Sequence, residues 1–541
     1  MRKLLVTLPL TKIIIIVTML VSLFLHTYQA GKPCLNEDEA AQGYNTYSVL
    51  QTGYDEYGQI PIRYLSFGEN KLPLTGMLST PFISILGLNE LSVRLPVLIL
   101  GILFPAFFFG ATYSLTKSKR AALIACALAG TNVWLGTMSR HQHEAVVLAT
   151  IVLIYISTLF NNLPKLSKRN IVTLGILSFM GLYTYHSAKV IIPFLIVSTL
   201  ILIFNKQRQL FKLSIIIFVV AICLFGLTEF IQPTNRVANL SYFTSPVFAY
   251  EIQEGRKLGG SPLFYNKVVY GGYTGLRKFI GYLSPRFLLS QSDTNFRYGY
   301  PSVHLLTYVE YIFLIIGLSI MWIRKLPYRL FLTLLIGFSI FPATFALSTD
   351  SSTRSFLLTI PVLIIASIGY SDIISIASKY RNFFIRSIIC LILLIFVSIH
   401  TIQIFQSWHN YFAVYLSDNK TSWQCGAKEM SDYVWTNYGR FDHFIITSAN
   451  GQPYIYLLFF KPYPPRSYQQ IATTKPYNEY GFWEQTGFDK FTFRKPNKID
   501  DTPKSAFILT PEEVRLGNLD ISRLIPLTSC GSLRYYVYET K

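Results

Sequence analysis

Residues 92–138 read SVRLPVLILGILFPAFFFGATYSLTKSKRAALIACALAGTNVWLGTM. A long apolar run stops at Lys117-Ser118-Lys119-Arg120, and a second apolar run follows at once. Each run is close to the roughly 17–25 residues that cross the hydrocarbon core of a bilayer as helix. A short basic linker between two such runs stays on the cytoplasmic side. This stretch therefore reads as two antiparallel membrane spans joined in the cytoplasm.

The same alternation runs outward in both directions. Apolar blocks fall at 12–30, 92–116, 121–138, 144–160, 171–187, 189–204, 213–231, 304–323, 328–347, 355–378 and 386–406. By length they predict about eleven spans. Every second linker is basic: 117–120, Lys165 to Arg169, Lys206 to Lys212, Arg324-Lys325 with Arg329, and Lys379 to Arg386. Arg2 and Lys3 open the series. The alternate linkers 31–91, 139–143, 186–189, 232–303 and 348–354 hold acidic and mixed sequence. This arrangement places the N-terminus in the cytoplasm of a plasma-membrane protein and the alternate linkers outside. The tail from 407 falls outside as well. The segment 74–88 is apolar but short and contains Pro81, so it reads as a shallow interfacial helix. A span there would break the alternation at Lys117. The block after Met1-Arg2-Lys3 is long for a secretory signal core, and Tyr28 stands where cleavage needs a small residue. It reads as an uncleaved first span.

Composition agrees. Of 541 residues, 51% are hydrophobic and only 14% charged, which excludes an ordinary soluble domain. The net charge of +20 sits in short clusters between apolar blocks. No basic face with interleaved stacking residues offers itself to nucleic acid. The domain reading is a transmembrane part, 1–406, with outer loops 31–91 and 232–303, followed by a small extracytoplasmic α/β domain, 407–541. In that tail Ser407 to Gly439 reads as partly helical. Phe441–Thr447, Tyr454–Phe460, Ser505–Thr510 and Leu533–Tyr538 read as strands, and Pro462 to Pro465 as a separator. Cys126, Cys223 and Cys390 lie within apolar blocks as small hydrophobes. The six cysteines show no metal-type spacing. A Cys425–Cys530 disulfide is open if the tail faces an oxidising compartment.

Chemistry is sought among ionisable groups near the outer face, because a charge close to hydrocarbon is costly unless paired or hydrated. The first outer loop carries Glu37-Asp38-Glu39. Adjacent residues on a helix point about 100° apart, so at most one of Asp38 and Glu39 aims into a given cavity. One carboxylate there could serve as general base for a hydroxyl acceptor. The plain alternative is a solvated acidic loop, or helix N-terminal charges near Asn36. Asp55 or Glu69 could be a second acidic site residue. Lys71 could hold a phosphate as a point charge, or merely snorkel to headgroups. Arg140 and Glu144 could share a helical face and pair, or contact substrate. His141 and His143, two apart, would splay on a helix and do not suggest a metal site. Tyr183 to Lys189, with Tyr185 and His186, forms a polar outer turn. Arg286, Arg297 and Arg354 are further outer cations. With Lys71 they could offset a lipid phosphate, or each could anchor the interface.

Taken together, these residues resemble the polyprenyl-phosphate-dependent glycosyltransferases of the class C membrane fold. That family includes the protein mannosyltransferases and the aminoarabinose transferases that modify lipid A. The resemblance rests on Asp38-Glu39-Ala40, Thr52-Gly53-Tyr54-Asp55 with Gly58, Lys71 with Pro73, and Leu91-Ser92-Val93-Arg94-Leu95-Pro96. It continues through Ser139-Arg140 with Glu144, Gly181 to Ala188, Phe287, Tyr300-Pro301, and Arg354 before Pro361. It covers about 10–405. In two places the chain departs from the family pattern: Leu72 separates Lys71 from Pro73, and Asn132-Val133 precede Trp134. The resemblance implies inverting transfer of a sugar from a polyprenyl-phosphate donor to an acceptor hydroxyl or phosphate at the outer face. The acceptor would be a glycolipid, a cell-envelope polymer or a protein. It implies Asp38 as the base, supported by Glu39, with Glu37 merely solvated. Lys71 would be the phosphate cation, with Arg140 or Arg354 beside it. Asp55, Glu69, Glu144, Tyr185 and His186 would lie toward substrate. No cofactor and no metal are implied for the chemistry. The competing readings are a transporter or flippase of lipid-linked sugars, which would show paired broken helices at the midplane, and a lipid-linked-glycan ligase.

Overall fold

Each apolar block folds as helix, since a chain in hydrocarbon must satisfy its backbone internally. The computed structural model describes residues 10–163, 165–234, 241–291, 293–299, 303–347, 350–379, 382–418, 420–472, 483–496 and 502–541. Arg2, Lys3 and Tyr300-Pro301 lie outside the described residues. Seven helices among the described residues are long and apolar enough to cross a membrane. They are Leu10–Thr27, Glu90–Thr116, Glu144–Asn162, Ala188–Asn205, Arg208–Ile231, Phe356–Lys379 and Phe383–Asp418. Tyr308–Ile323 and Arg329–Thr344 are apolar but shorter, as is Lys168–Leu182. The block 121–138 is interrupted. Asn132 leaves helical geometry and its side chain caps the Leu135 N–H, giving Lys119–Thr131 and Val133–Met138. The chain is a multi-pass membrane protein. Residues 74–88 form two short helices, Leu74–Leu78 and Thr80–Leu86, neither long enough to span.

The chain divides into two compact units. The first comprises 1–30, 97–230 and 240–415 and holds most of the apolar helices. Its helix Thr359–Lys379 is buried along most of its length. Gly369 permits close approach of helix Tyr308–Ile323: a Cβ there would lie 2.5 Å from the Phe313 carbonyl oxygen. Small residues at such crossings are how helices pack where no hydrophobic force separates protein from lipid. The basic linkers are tied to one another. Lys117 Nζ donates to the Phe160 carbonyl, and the Leu166 N–H to Gln207 Oε1, each at 3.1 Å. Arg120 donates to Ser375 Oγ at 2.6 Å, and Arg324 pairs with Asp372. These linkers therefore gather at one end of the helices. Of the three intramembrane cysteines, Cys126 is buried against neighbouring helices, whereas Cys223 and Cys390 lie on outward faces.

The second unit comprises 31–96, 231–239 and 416–541, so the segment 31–91 packs with the tail. Strands β1 Tyr64–Ser66 and β2 Glu69–Lys71 form a hairpin. Strands β3 His443–Ile446, β4 Gly487–Phe488, β5 Phe491–Phe493, β6 Ser505–Leu509, β7 Ile525–Ser529 and β8 Ser532–Glu539 form a six-stranded mixed sheet in the order β4-β5-β3-β6-β8-β7. Strand β3 is parallel to both β5 and β6, while β4, β7 and β8 pair antiparallel. The run Tyr454–Phe460, expected as a strand, is instead helix Pro453–Phe460. Pro453 begins the helix and the segment is buried on almost all sides, so its continuous apolar pattern carried no period to separate helix from strand. This helix crosses helix Glu37–Thr52 at Gly43, where a Cβ would come 2.7 Å from Val93 and 2.8 Å from the Phe459 ring. The disulfide also differs from expectation. Cys425 bonds Cys34, with Cα atoms 5.3 Å apart, and Cys530 is a free, exposed thiol.

Candidate functional site

In the second unit, the segment 31–91 builds a charge cluster on the start of helix Glu37–Thr52. Asn36 caps this helix: its side chain accepts from the Asp38 and Glu39 N–H groups, and Glu39 reaches back to the Asn36 N–H. This reciprocal capping fixes the backbone of the three acids. Their side chains then separate. Glu39 is fully buried and takes two hydrogen bonds of 2.7 Å from Arg94 Nε and Nη2. Arg94 also donates to the Pro33 and Cys34 carbonyls, at 2.8 and 3.0 Å. Glu37, expected to be solvated, instead accepts from the Gln452 N–H at 2.9 Å, while its own N–H donates to Gln424 Oε1. Asp38 alone points outward: its side chain is 55% exposed, and Lys71, only 6% exposed, holds it at 2.5 Å.

Lys71 is delivered by a hairpin where the sequence alone predicts a structured loop. Strands β1 Tyr64–Ser66 and β2 Glu69–Lys71 pair antiparallel through the two-residue turn Phe67-Gly68. Both turn residues have positive φ, 55° and 76°, as such tight hairpins require. Gly68 is also crowded: a Cβ there would meet the Trp483 ring at 2.7 Å. The Lys71 ammonium lies 4.6 Å from the Phe67 ring centroid, a desolvated cation–π contact. Glu69 sits at the start of β2, opposite Ser66.

Asp55 and Glu56 are buried and turned inward. Asp55 accepts from the Tyr57, Gln59 and Leu65 N–H groups at 2.9, 2.8 and 3.1 Å. It organises the turn after Gly53. Burial raises its carboxyl to about 6 against the pull of these bonds. Glu56, which the sequence reading passed over, accepts from Ser66 Oγ at 2.5 Å and from Tyr454 Oη at 3.3 Å. Burial pushes its carboxyl up to about 8. The folded protein thus keeps a proton that the unfolded chain releases above its ordinary value of 4.5. The stability associated with this group is full below that value, falls as pH rises toward 8, and stays lost above. Glu56→Gln removes the titration, so the variant's thermal midpoint should gain on wild type between about pH 5 and about pH 8.5. A difference that is constant over that range would show that Glu56 does not titrate there.

The first unit holds the other predicted residues. Arg140 lies in a turn rather than a helix, so the expected pairing geometry with Glu144 does not arise. Its guanidinium donates to the Leu25, His26 and Tyr28 carbonyls at 2.7, 2.8 and 2.7 Å. It stacks near the Tyr411 and Phe412 rings, 5.4 and 5.0 Å from their centroids. This arginine closes the C-terminal end of the first apolar helix, satisfying carbonyls that helix geometry leaves unpaired. Glu144 opens helix Glu144–Asn162, capped by His143 Nδ1, which accepts from the Ala145 N–H. The His143 ring packs edge-on against Tyr185 and Tyr298, at 5.8 and 5.7 Å, and lies 5.7 Å from His141. His186 sits in the turn leading to helix Ala188–Lys206. The Arg354 charge acts on Asp293, a residue the sequence alone does not single out. Asp293 accepts from the Ser352 N–H and Oγ at 2.6 and 2.7 Å and from the Asn295 N–H at 2.8 Å. Burial raises its carboxyl to about 6, opposed by these bonds and by Arg354. Its only sequence signal is an acid in a linker rich in arginine.

Residues 70–230 match the family described as dolichyl-phosphate-mannose-protein mannosyltransferase. No curated protein matches the chain. Among solved structures, ArnT from Cupriavidus metallidurans in the apo state is similar at 11% identity and a TM-score of 0.52, with 97% of each chain covered. The oligosaccharyltransferase of Archaeoglobus fulgidus in its apo form is similar at 13% identity and a TM-score of 0.50, with 83% of this chain covered. This chain spans 63% of the length of that oligosaccharyltransferase. At these identities the likeness concerns the fold.

Proposed function

We propose that this chain, a multi-pass membrane protein of the class C glycosyltransferase fold, moves a sugar from a polyprenyl-phosphate donor to an acceptor hydroxyl or phosphate. The observation that carries the reading is the Asp38–Lys71 pair. One carboxylate of three is left outward, and a buried ammonium is held on it. The family match begins at residue 70 and so takes in Lys71.

In this reading the donor phosphate competes with Asp38 for Lys71. Lys71 then stabilises the charge that grows as the C1–O bond to phosphate breaks. Asp38, released, takes the proton of the attacking hydroxyl as the new glycosidic bond forms on the opposite face. Leaving-group charge goes to Lys71 and the proton to Asp38, with inversion at C1. Arg354 as a second candidate cation, and Glu144, Tyr185 and His186 as substrate residues, belong to the first unit and are carried here on the resemblance alone. Arg140, committed to three carbonyls, takes no part. The basic linkers at one end of the helices support a cytoplasmic N-terminus and an active loop on the outer side of the plasma membrane.

The test is turnover of purified protein with radiolabelled polyprenyl-phosphate sugars and a panel of glycan, glycolipid and peptide acceptors. Wild type should transfer label. Lys71→Ala should raise the donor KM by about tenfold or more, the loss of a charged hydrogen bond. No transfer from any polyprenyl donor would remove the reading. An unchanged donor KM would remove Lys71 from the phosphate site.

A further inference from the structure

A second feature of the second unit plays no part in the chemistry above. Helix Ala427–Thr436 carries Trp435 in its last turn, and Tyr438 follows in the next turn. The linker Lys461 to Pro464 brings Tyr463 beside them, and the turn between β4 and β5 brings Asp489. These side chains, with Ser467, line an open cavity of about 290 Å³.

The floor of the cavity is aromatic and held in place. The Trp435 ring lies 5.3 Å from Tyr438 and 5.9 Å from Tyr463, at interplanar angles of 32° and 34°. The three rings form a shallow bowl. Each is anchored from behind or at its edge. Trp435 Nε1 donates to the Leu457 carbonyl at 3.1 Å. Tyr438 Oη donates to Asp489 at 2.6 Å. Tyr463 meets Phe488 edge-on at 5.5 Å. The rim is polar. Lys461 stands 5.5 Å from the Trp435 ring centroid, and Lys461, Ser467 and Asp489 are exposed.

We propose that this cavity is a subsite for one pyranose ring of a sugar-bearing acceptor; the assignment of that sugar to an acceptor rests on the glycosyltransferase reading. A pyranose presents an apolar C–H face to the electron-rich faces of aromatic rings. Its edge hydroxyls each donate and accept. Asp489 supplies an acceptor and Lys461 a donor. An apolar floor with few, placed polar groups is the usual build of a small-molecule site, and the volume lies near the lower end of that class. Aromatic grooves also take proline-rich segments. Such a ligand lacks N–H donors at its prolines and offers Asp489 nothing beyond the hydrogen bond it takes from Tyr438, whereas sugar hydroxyls can donate to it, so a sugar fits better.

The test uses the full chain in detergent with no polyprenyl donor present. Saturation-transfer NMR is recorded with methyl glycosides of mannose, glucose, galactose and N-acetylglucosamine. At least one should bind. Asp489→Asn should weaken it by about tenfold, and Asn tolerates the left-handed backbone at this position. Trp435→Ala should abolish it, and the exposed Asp489 keeps the test valid if Trp435→Ala fails to fold. No binding of any glycoside overturns the proposal. So does equal binding by wild type and Asp489→Asn, or binding of a proline-rich peptide in place of the sugars. Glycoside binding without transfer from any donor would keep the subsite and remove the transferase reading.

Discussion

Asp38→Asn lowers kcat for sugar transfer by about a hundred- to ten-thousandfold, the range expected for loss of a positioned general base. The substitution is close to isosteric. The Asn amide oxygen still accepts from Lys71, so the hairpin keeps its place. The helix N-terminus loses a favourable charge, worth about 0.3–1 kcal/mol, too little to unfold the protein. Donor KM should stay level or fall, because Lys71 no longer shares itself with a carboxylate. Glu37→Gln is the control. Glu37 accepts a backbone hydrogen bond from Gln452, and an amide oxygen keeps that bond, so turnover should remain near wild type. A kcat for Asp38→Asn within a few-fold of wild type would exclude Asp38 as the base and leave the first loop a structural segment.

The division of labour among the three acids was partly readable in the sequence. Helical spacing alone says that Asp38 and Glu39 point apart, and the fold obeys it. Nothing local says which of them is outward. That depends on Arg94, 55 residues away, which the sequence reading held in a motif without a partner. The helical membrane part was legible because apolar length and linker charge are direct consequences of the bilayer. Links across the chain were not. Cys34 and Cys425 are 391 residues apart, and no spacing connects them. Arg140 looked like a phosphate ligand because residue type is visible and its true partners, three backbone carbonyls, are not. Asp55 looked like a substrate acid for the same reason: its amide partners exist only once the turn has closed. Sequence displays the charges, whereas burial and the backbone decide which of them remain available.

Arg94 accordingly carries the largest expected effect on stability. Arg94→Leu leaves Glu39 buried with its carboxylate uncompensated, and the expected loss is about 3–5 kcal/mol. Two carbonyls, of Pro33 and Cys34, lose their donors as well. Arg94→Lys should recover only part, because an ammonium cannot grip both carboxylate oxygens in the planar fork that Arg94 makes here. The double variant Glu39→Leu with Arg94→Leu should be more stable than Arg94→Leu alone, since the stranded charge is gone. Thermal unfolding in detergent, followed by the near-ultraviolet signal of the tail's aromatic residues, reads all three. The order expected is wild type, then Arg94→Lys, then the double variant or its equal, then Arg94→Leu. A midpoint for Arg94→Leu equal to wild type would mean that the pair does not hold the loop. Activity should follow through Asp38: Glu39 completes the cap that fixes the Asp38 backbone. Loosening the cap should therefore depress kcat even at temperatures where the variant stays folded, with no matching rise in donor KM, because Lys71 is carried by its own hairpin.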